Sequence, residues 1–190
     1  MRIYLVALIA SSLLAACASA PPSSMPARQQ VRDFALEARF ALRVNRPDQA
    51  PESSGGRLSW RHKNGDNRVL LSNPLGYGLA EIETTPTLSR LRTADGKTYE
   101  SADPDALMEE LTGQRLPVTL LPAWLLGRAS AKAQIDNDAL ARPTRLREAG
   151  WQIDYAYDDE TPTALPARLT LSRERAIELR LRIEEWKEAP

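Results

Sequence analysis

The chain has 190 residues, enough for one domain with a substantial core and thin for two. Its 25 basic and 25 acidic side chains cancel, which leaves no electrostatic case for nucleic acid or an anionic membrane surface. One cysteine, Cys17, excludes an internal disulfide.

The chain opens with Arg2 as a positive n-region, an apolar h-region over Tyr4–Ala10, and small residues leading to Leu14-Ala15-Ala16-Cys17. This is a secretory signal, too short and wrongly flanked for a spanning helix. A cysteine directly after Leu-Ala-Ala has the form of a bacterial lipobox, in which cleavage precedes Cys17 and its sulfur and new amino group are acylated. An ordinary signal cut further on would discard the cysteine. Residues 1–16 are thus expected to be the signal, and 17–32 the acylated cysteine with a flexible Ala/Ser/Pro/Gln tether. Ala18 stands where an aspartate marks inner-membrane retention in enteric bacteria, so the anchor is expected on the periplasmic face of the outer membrane.

A single domain is expected over 33–190. From Phe34, the residues Leu36, Ala38, Phe40, Leu42 and Val44 alternate with more polar ones, the period of a half-buried strand. A loop, Pro47–Gly56, precedes a strand over Arg57–Lys63 with Leu58, Trp60 and His62 on one face. Strands are expected at Arg68–Asn73, Leu79–Thr85, Leu88–Thr93 and Lys97–Ser101, the last two flanking the turn Asp95-Gly96. Asp103-Pro104 has the form of a helix start, with Gly113 as its stop. A second helix, opened by Leu116-Pro117, carries Leu120, Leu121, Trp124 and Leu125 on one stripe up to Gly127. Arg128–Arg142 reads as a polar loop. Strands return at Thr144–Glu148, Trp151–Tyr157, Ala167–Ser172 and Ile177–Trp186.

The fold class is mainly β: about 9–11 antiparallel strands curling into an incomplete barrel, with short helices inserted past the midpoint. Periodicity does not decide whether the interior is filled or hollow, although packing statistics alone favour filling.

Catalytic chemistry finds no footing. His62, alone of its type, lies beside Trp60 with no carboxylate or cysteine at a ligand spacing, so no metal or cofactor is expected. The glycines of Gly55-Gly56 and Asn73–Gly78 lack the spacing and lysine of a phosphate loop, and no Gly-x-Ser-x-Gly is present. The adjacent acids at Glu109-Glu110, Asp158-Asp159-Glu160 and Glu184-Glu185 read as solvated surface. One oddity remains in Asn73-Pro74-Leu75-Gly76: a turn tip is normally polar, so Leu75 is either tucked inward or exposed for a purpose.

Taken in order, a set of residues resembles the outer-membrane lipoprotein receptor LolB family. It comprises Phe40-Ala41-Leu42, Leu58-Ser59-Trp60, Asn73-Pro74-Leu75-Gly76, Asp95-Gly96 with Tyr99, Leu111-Thr112-Gly113 with Leu116-Pro117, Trp124–Gly127, Gly150-Trp151 with Tyr155, Pro166, and Ile183–Trp186. The resemblance implies a half-barrel with a helical lid over an apolar cavity. It also implies a non-enzymatic, monomeric receptor that takes acylated lipoproteins from the periplasmic carrier LolA and places them in the inner leaflet of the outer membrane. Leu75 matches the leucine implicated in that insertion into phospholipid; the following Tyr77-Gly78 departs from the family pattern and makes the loop more aromatic. The cavity is expected to be lined by Phe40, Leu42, Leu58, Trp60, Leu71, Ile82, Trp124, Leu125, Trp151, Ile153, Leu179 and Leu181. The competing expectation is an outer-membrane assembly lipoprotein with a filled core.

Overall fold

The computed structural model describes residues 25–112 and 115–190, without the side chains of 111 and 112. Cys17, the signal and most of the tether lie outside the described residues, as does Gly113.

Eleven antiparallel strands form one sheet. In chain order they are β1 (Phe34–Val44), β2 (Glu52–Lys63), β3 (Asp66–Ser72), β4 (Gly78–Thr84), β5 (Ser89–Thr93), β6 (Thr98–Ser101), β7 (Gln134–Asn137), β8 (Pro143–Glu148), β9 (Trp151–Ala156), β10 (Arg168–Arg173) and β11 (Ile177–Lys187). The spatial order is β6-β5-β4-β3-β2-β1-β11-β10-β9-β8-β7, two meanders joined where β11 returns beside β1. β6 and β7 remain free edges, so the barrel is incomplete. Helices α1 (Pro104–Thr112) and α2 (Leu121–Leu125) sit in the chain between those two edges, and α1 lies against β5 and β6.

Alternation explains which face turns inward. Along β1 the burial follows the apolar residues, with Phe34, Leu36, Ala38 and Val44 buried and Glu37, Arg39, Ala41 and Arg43 exposed. The same period runs through β9, where Trp151, Ile153 and Tyr155 are buried. One end of the interior is plugged by aromatic packing. The Phe34 ring lies 5.4 Å from Trp186, 5.2 Å from His62 and 6.3 Å from Trp60, centroid to centroid. The outer face of the β3–β6 wing carries ion pairs instead, including Arg68–Glu81 at 2.5 Å and Arg90–Glu100 at 2.7 Å.

Four local readings are corrected. β2 begins at Glu52, five residues before its expected start, because pairing with β1 (Val44↔Glu52, Phe40↔Gly56) makes a strand of residues with no apolar pattern. The polar loop Arg128–Arg142 contains β7, an edge strand exposed throughout and held by β8 alone. The second helix has only five residues, since 117–120 form a turn before it. The stretch before Phe34 is packed: Val31 is buried in the core, and the buried Arg28 guanidinium donates from Nη1 to the Leu126 carbonyl at 3.1 Å.

The start of α1 forms as its sequence dictates. Asp103 Oδ1 accepts from the amides of Asp105 (2.9 Å) and Ala106 (3.1 Å), satisfying two of the amides a helix start leaves unpaired. The Ala106 amide and the Arg115 guanidinium hold the Asp103 carboxyl below its ordinary value.

Candidate functional site

The inner face is filled at one end and hollow at the other. Beneath the lid lies a cavity of about 250 Å³ whose lining residues are all apolar. Phe40 and Leu42 of β1 face Leu181 and Leu179 of β11 in register, and these four form its floor. Leu58 and Trp60 of β2, Leu71 of β3 and Ile82 of β4 make one wall; Trp151 of β9 makes part of the other, and Leu125 of α2 closes it from above. Ten of the twelve residues expected there are therefore brought together.

Trp124 and Ile153 are not among the lining residues. Both are fully buried, at 0 % exposure, in the packed core. Ile153 is wedged in its sheet between Leu146 and Leu171. Trp124 is engaged elsewhere: its indole Nε1 donates to Glu148 Oε2 at 2.7 Å, and its ring lies 6.3 Å from that of Trp151. Desolvation works to raise the Glu148 carboxyl, but hydrogen bonds from Ser130 and Trp124 outweigh it and hold the group below its ordinary value.

Sequence reasoning missed other lining residues. Val69, Leu91 and Leu171 share the inward faces of β3, β5 and β10, so alternation could have supplied them. Met108, Leu116, Pro117, Val118 and Leu121 come from the lid, where no strand period applies.

The lid is held unevenly. Around α2, the Tyr155 hydroxyl donates to the Trp124 carbonyl at 2.8 Å, while Arg28 holds that of Leu126. Burial pushes the Tyr155 phenol far above its ordinary value, so it stays a donor. Between the helices the contacts run to α1 instead. The Thr119 amide donates to Asp105 at 3.4 Å, and Arg115 pairs with Asp103 and Glu109 at 3.0 and 3.2 Å in exposed ion pairs.

Leu75 stands at the tip of the turn joining β3 to β4 and is 83 % exposed, with Tyr77 70 % exposed beside it. Asn73 builds this turn: its Oδ1 accepts from the amides of Leu75 (2.9 Å) and Tyr77 (3.1 Å), and its carbonyl accepts from Gly76. Gly76 has φ +91°, a conformation costly for any residue with a Cβ. Such an organised turn holds its apolar tip outward. Ser72, the last residue of β3, pairs with Arg57, next to Gly56, which pairs with Phe40. The turn therefore leaves the sheet at the hollow end.

His62 is accounted for by structure, its Nδ1 lying 2.8 Å from Asn67 Oδ1 and its ring against Phe34. Among the described residues no three His, Cys, Asp or Glu side chains gather as a metal site, and no helix is long and apolar enough to cross a membrane.

The model of the family described as outer membrane lipoprotein LolB matches residues 32–186. The chain belongs to the LolB family of outer-membrane lipoproteins. It is 68 % identical over 190 residues to the outer-membrane lipoprotein LolB of Dechloromonas aromatica, covering 100 % of both chains. With that of Azoarcus sp. it shares 32 % over 190 residues, covering 98 % of this chain and 96 % of the relative. Among solved structures, a LolA superfamily protein from Nitrosomonas europaea aligns at 14 % identity with a TM-score of 0.47, over 82 % of this chain and 86 % of its own. Family membership places the protein at the outer membrane.

Proposed function

We propose that this protein is the outer-membrane receptor that accepts acylated lipoproteins from the periplasmic carrier LolA and inserts them into the inner leaflet of that membrane, without catalysing a covalent step. The observation that carries this reading is a wholly apolar cavity lined as far as Leu71, one residue before the end of β3, from which the exposed Leu75 turn projects. Acylated Cys17 would supply the anchor, with residues 1–16 removed and the chain before the folded domain as tether.

Physical chemistry favours such an arrangement. Each methylene kept out of water is worth about 0.8 kcal/mol, so a cargo with several long chains cannot cross the periplasm unshielded. A lining without polar groups gives no foothold to a small polar substrate. The hollow of about 250 Å³ lies below the roughly 300–1,000 Å³ usual for ligand pockets, so holding several long acyl chains would require it to widen. Loading would displace the part of the lid tied to α1, since exposed ion pairs hold weakly, while Tyr155, Glu148 and Arg28 keep the α2 end in place. No nucleotide motif is present in the chain, and transfer would run down a gradient of affinity from carrier to receptor to bilayer.

The test is hand-over in vitro. Labelled lipoprotein on the carrier is offered to the chain from Ala18 onward, which retains every core residue from Val31 to Ile183, and its arrival in liposomes is followed. The wild type should accept and deliver, and the Leu75→Glu variant should accept but not deliver. Failure of the wild type to accept cargo would overturn the receptor reading in favour of a structural lipoprotein.

A further inference from the structure

The outer face of the β3–β6 wing is a continuous ladder of ion pairs joining Arg92, Glu81, Arg68, Glu83, Arg90 and Glu100. At its end nearest the Leu75 turn, two leucines point outward: Leu70 of β3, 45 % exposed, and Leu79 of β4, 40 % exposed. Leu79 is there because the β3–β4 register slips between Leu71 and Ser72, so the residue between Gly78 and Ala80 has no partner across the ladder. Leu71 meanwhile keeps its place inside, lining the cavity. Leu70 and Leu79 line a groove of about 460 Å³ on the outside of the sheet, continuous with the turn through Gly76 and Gly78.

The groove carries two charges of each sign, but they are not equally engaged. Arg57 and Arg92 line it, as do Glu37 and Glu81. Glu81 is taken by Arg68 at 2.5 Å and Arg92 at 3.6 Å, and Glu37 accepts from Ser59 Oγ at 2.8 Å. Arg57 is exposed and has no ion pair among the described residues. An apolar strip beside an unpaired guanidinium matches a molecule with a phosphodiester next to methylenes, and arginine is the side chain suited to phosphate. Exposed apolar side chains gathered in one place, where the rest of the face is charged, mark an interaction surface.

We propose that this groove is a glycerophospholipid site, through which the receptor rests on the bilayer beside the inserted turn. Arg57 takes the lipid phosphate, and Leu70 and Leu79 lie against the glycerol and the first acyl methylenes. The proposal rests on the reading of Leu75 as a membrane-inserting residue and extends it: the turn does not act alone, and its angle of approach is set by a lipid held on the outer face of the sheet. The balanced charge of the whole chain is no objection, since recognition here is local.

The experiment uses the full-length acylated protein in vesicles of phosphatidylethanolamine and phosphatidylglycerol carrying a phospholipid with a photoreactive diazirine near its glycerol. Irradiation should give lipid adducts at Leu70 and Leu79 as well as at Leu75 and Tyr77. The Arg57→Gln variant should lose the groove adducts several-fold and keep those on the turn. A Leu70→Ser/Leu79→Ser variant, altered only at exposed positions, should keep its melting temperature and accept cargo normally, yet deliver more slowly. Adducts confined to Leu75 and Tyr77 would overturn the groove and leave the inserting turn standing. Absence of adducts at both places would overturn the inserting turn as well. Protein–protein adducts at Leu70 or Leu79 would assign the groove to a second copy of the chain and overturn the lipid assignment, and groove adducts unchanged by Arg57→Gln would overturn the role given to that residue.

Discussion

The hydroxyl of Tyr155 donates to the backbone carbonyl of Trp124 at 2.8 Å, tying the β9 wall to the lid. The same carbonyl also accepts from the Gly127 amide at 2.9 Å. Removing the hydroxyl by Tyr155→Phe therefore leaves no orphaned acceptor, and the loss should be that of one ordinary hydrogen bond, about 1 kcal/mol. Urea denaturation should register that loss. The sharper readout is amide exchange at residues 124–127, which should speed up while the strands stay protected. Unchanged exchange there would mean that the bond does not hold the lid.

The Trp124–Glu148 contact makes the same region sensitive to acid. The folded state holds the Glu148 carboxyl below its ordinary value of 4.5, so its contribution to stability is present above that pH and is lost as pH falls through the lower folded value. The Trp124 indole N–H resonance should move as the carboxylate is protonated, and the lid should loosen with it. In Glu148→Gln the acid-dependent movement should disappear. A resonance that titrates identically in that variant would remove Glu148 as the cause.

Gly56 offers a test of backbone closeness. A Cβ built there would lie 1.9 Å from the Ser72 carbonyl oxygen and 3.2 Å from Asn73 Cα, whereas one at neighbouring Gly55 would meet its nearest atom, the Phe40 carbonyl oxygen, at 3.0 Å. Gly56→Ala must push away the residues at the root of the Leu75 turn, at about 1–3 kcal/mol or more because backbone cannot repack. Gly55→Ala should cost distinctly less. Thermal melts of the two variants, with hand-over measured on each, would show whether the angle of the turn matters apart from its leucine. Equal melting temperatures would contradict the close approach.

What could be read in advance follows a physical division. β1 and β11 were legible because each turns one face to the interior and the other to water, which writes period two into the chain. β7 was not, since Gln134–Asn137 is exposed on both faces and owes its extension to pairing with β8. Glu52–Gly56 was misread for a related reason, being Ser/Gly-rich and made a strand by β1 alone. The cavity shows the limit of periodicity itself. Alternation places Ile153 and Trp151 on the same inward face, but only the packing above them separates a plugged position from a hollow one. The outward pose of Leu75 depends on Asn73 Oδ1 and the φ of Gly76, neither of which hydropathy records.

The cavity and the turn should fail separately. Leu42 lines the hollow opposite Leu179 and is only half-buried, so a glutamate there can reach water and spare the fold. Its carboxylate should still spoil the apolar surface for the end of an acyl chain. If two methylenes lose their burial, the cost is about 1.6 kcal/mol, or roughly a tenfold weaker affinity for a fluorescent fatty acid. Leu75→Glu, at a position outside the cavity, should bind the same probe as tightly as the wild type. Titration of the probe into both variants decides the matter. Equal weakening by the two would mean that the turn belongs to the binding site, and no weakening by Leu42→Glu would mean that acyl chains do not lie against β1.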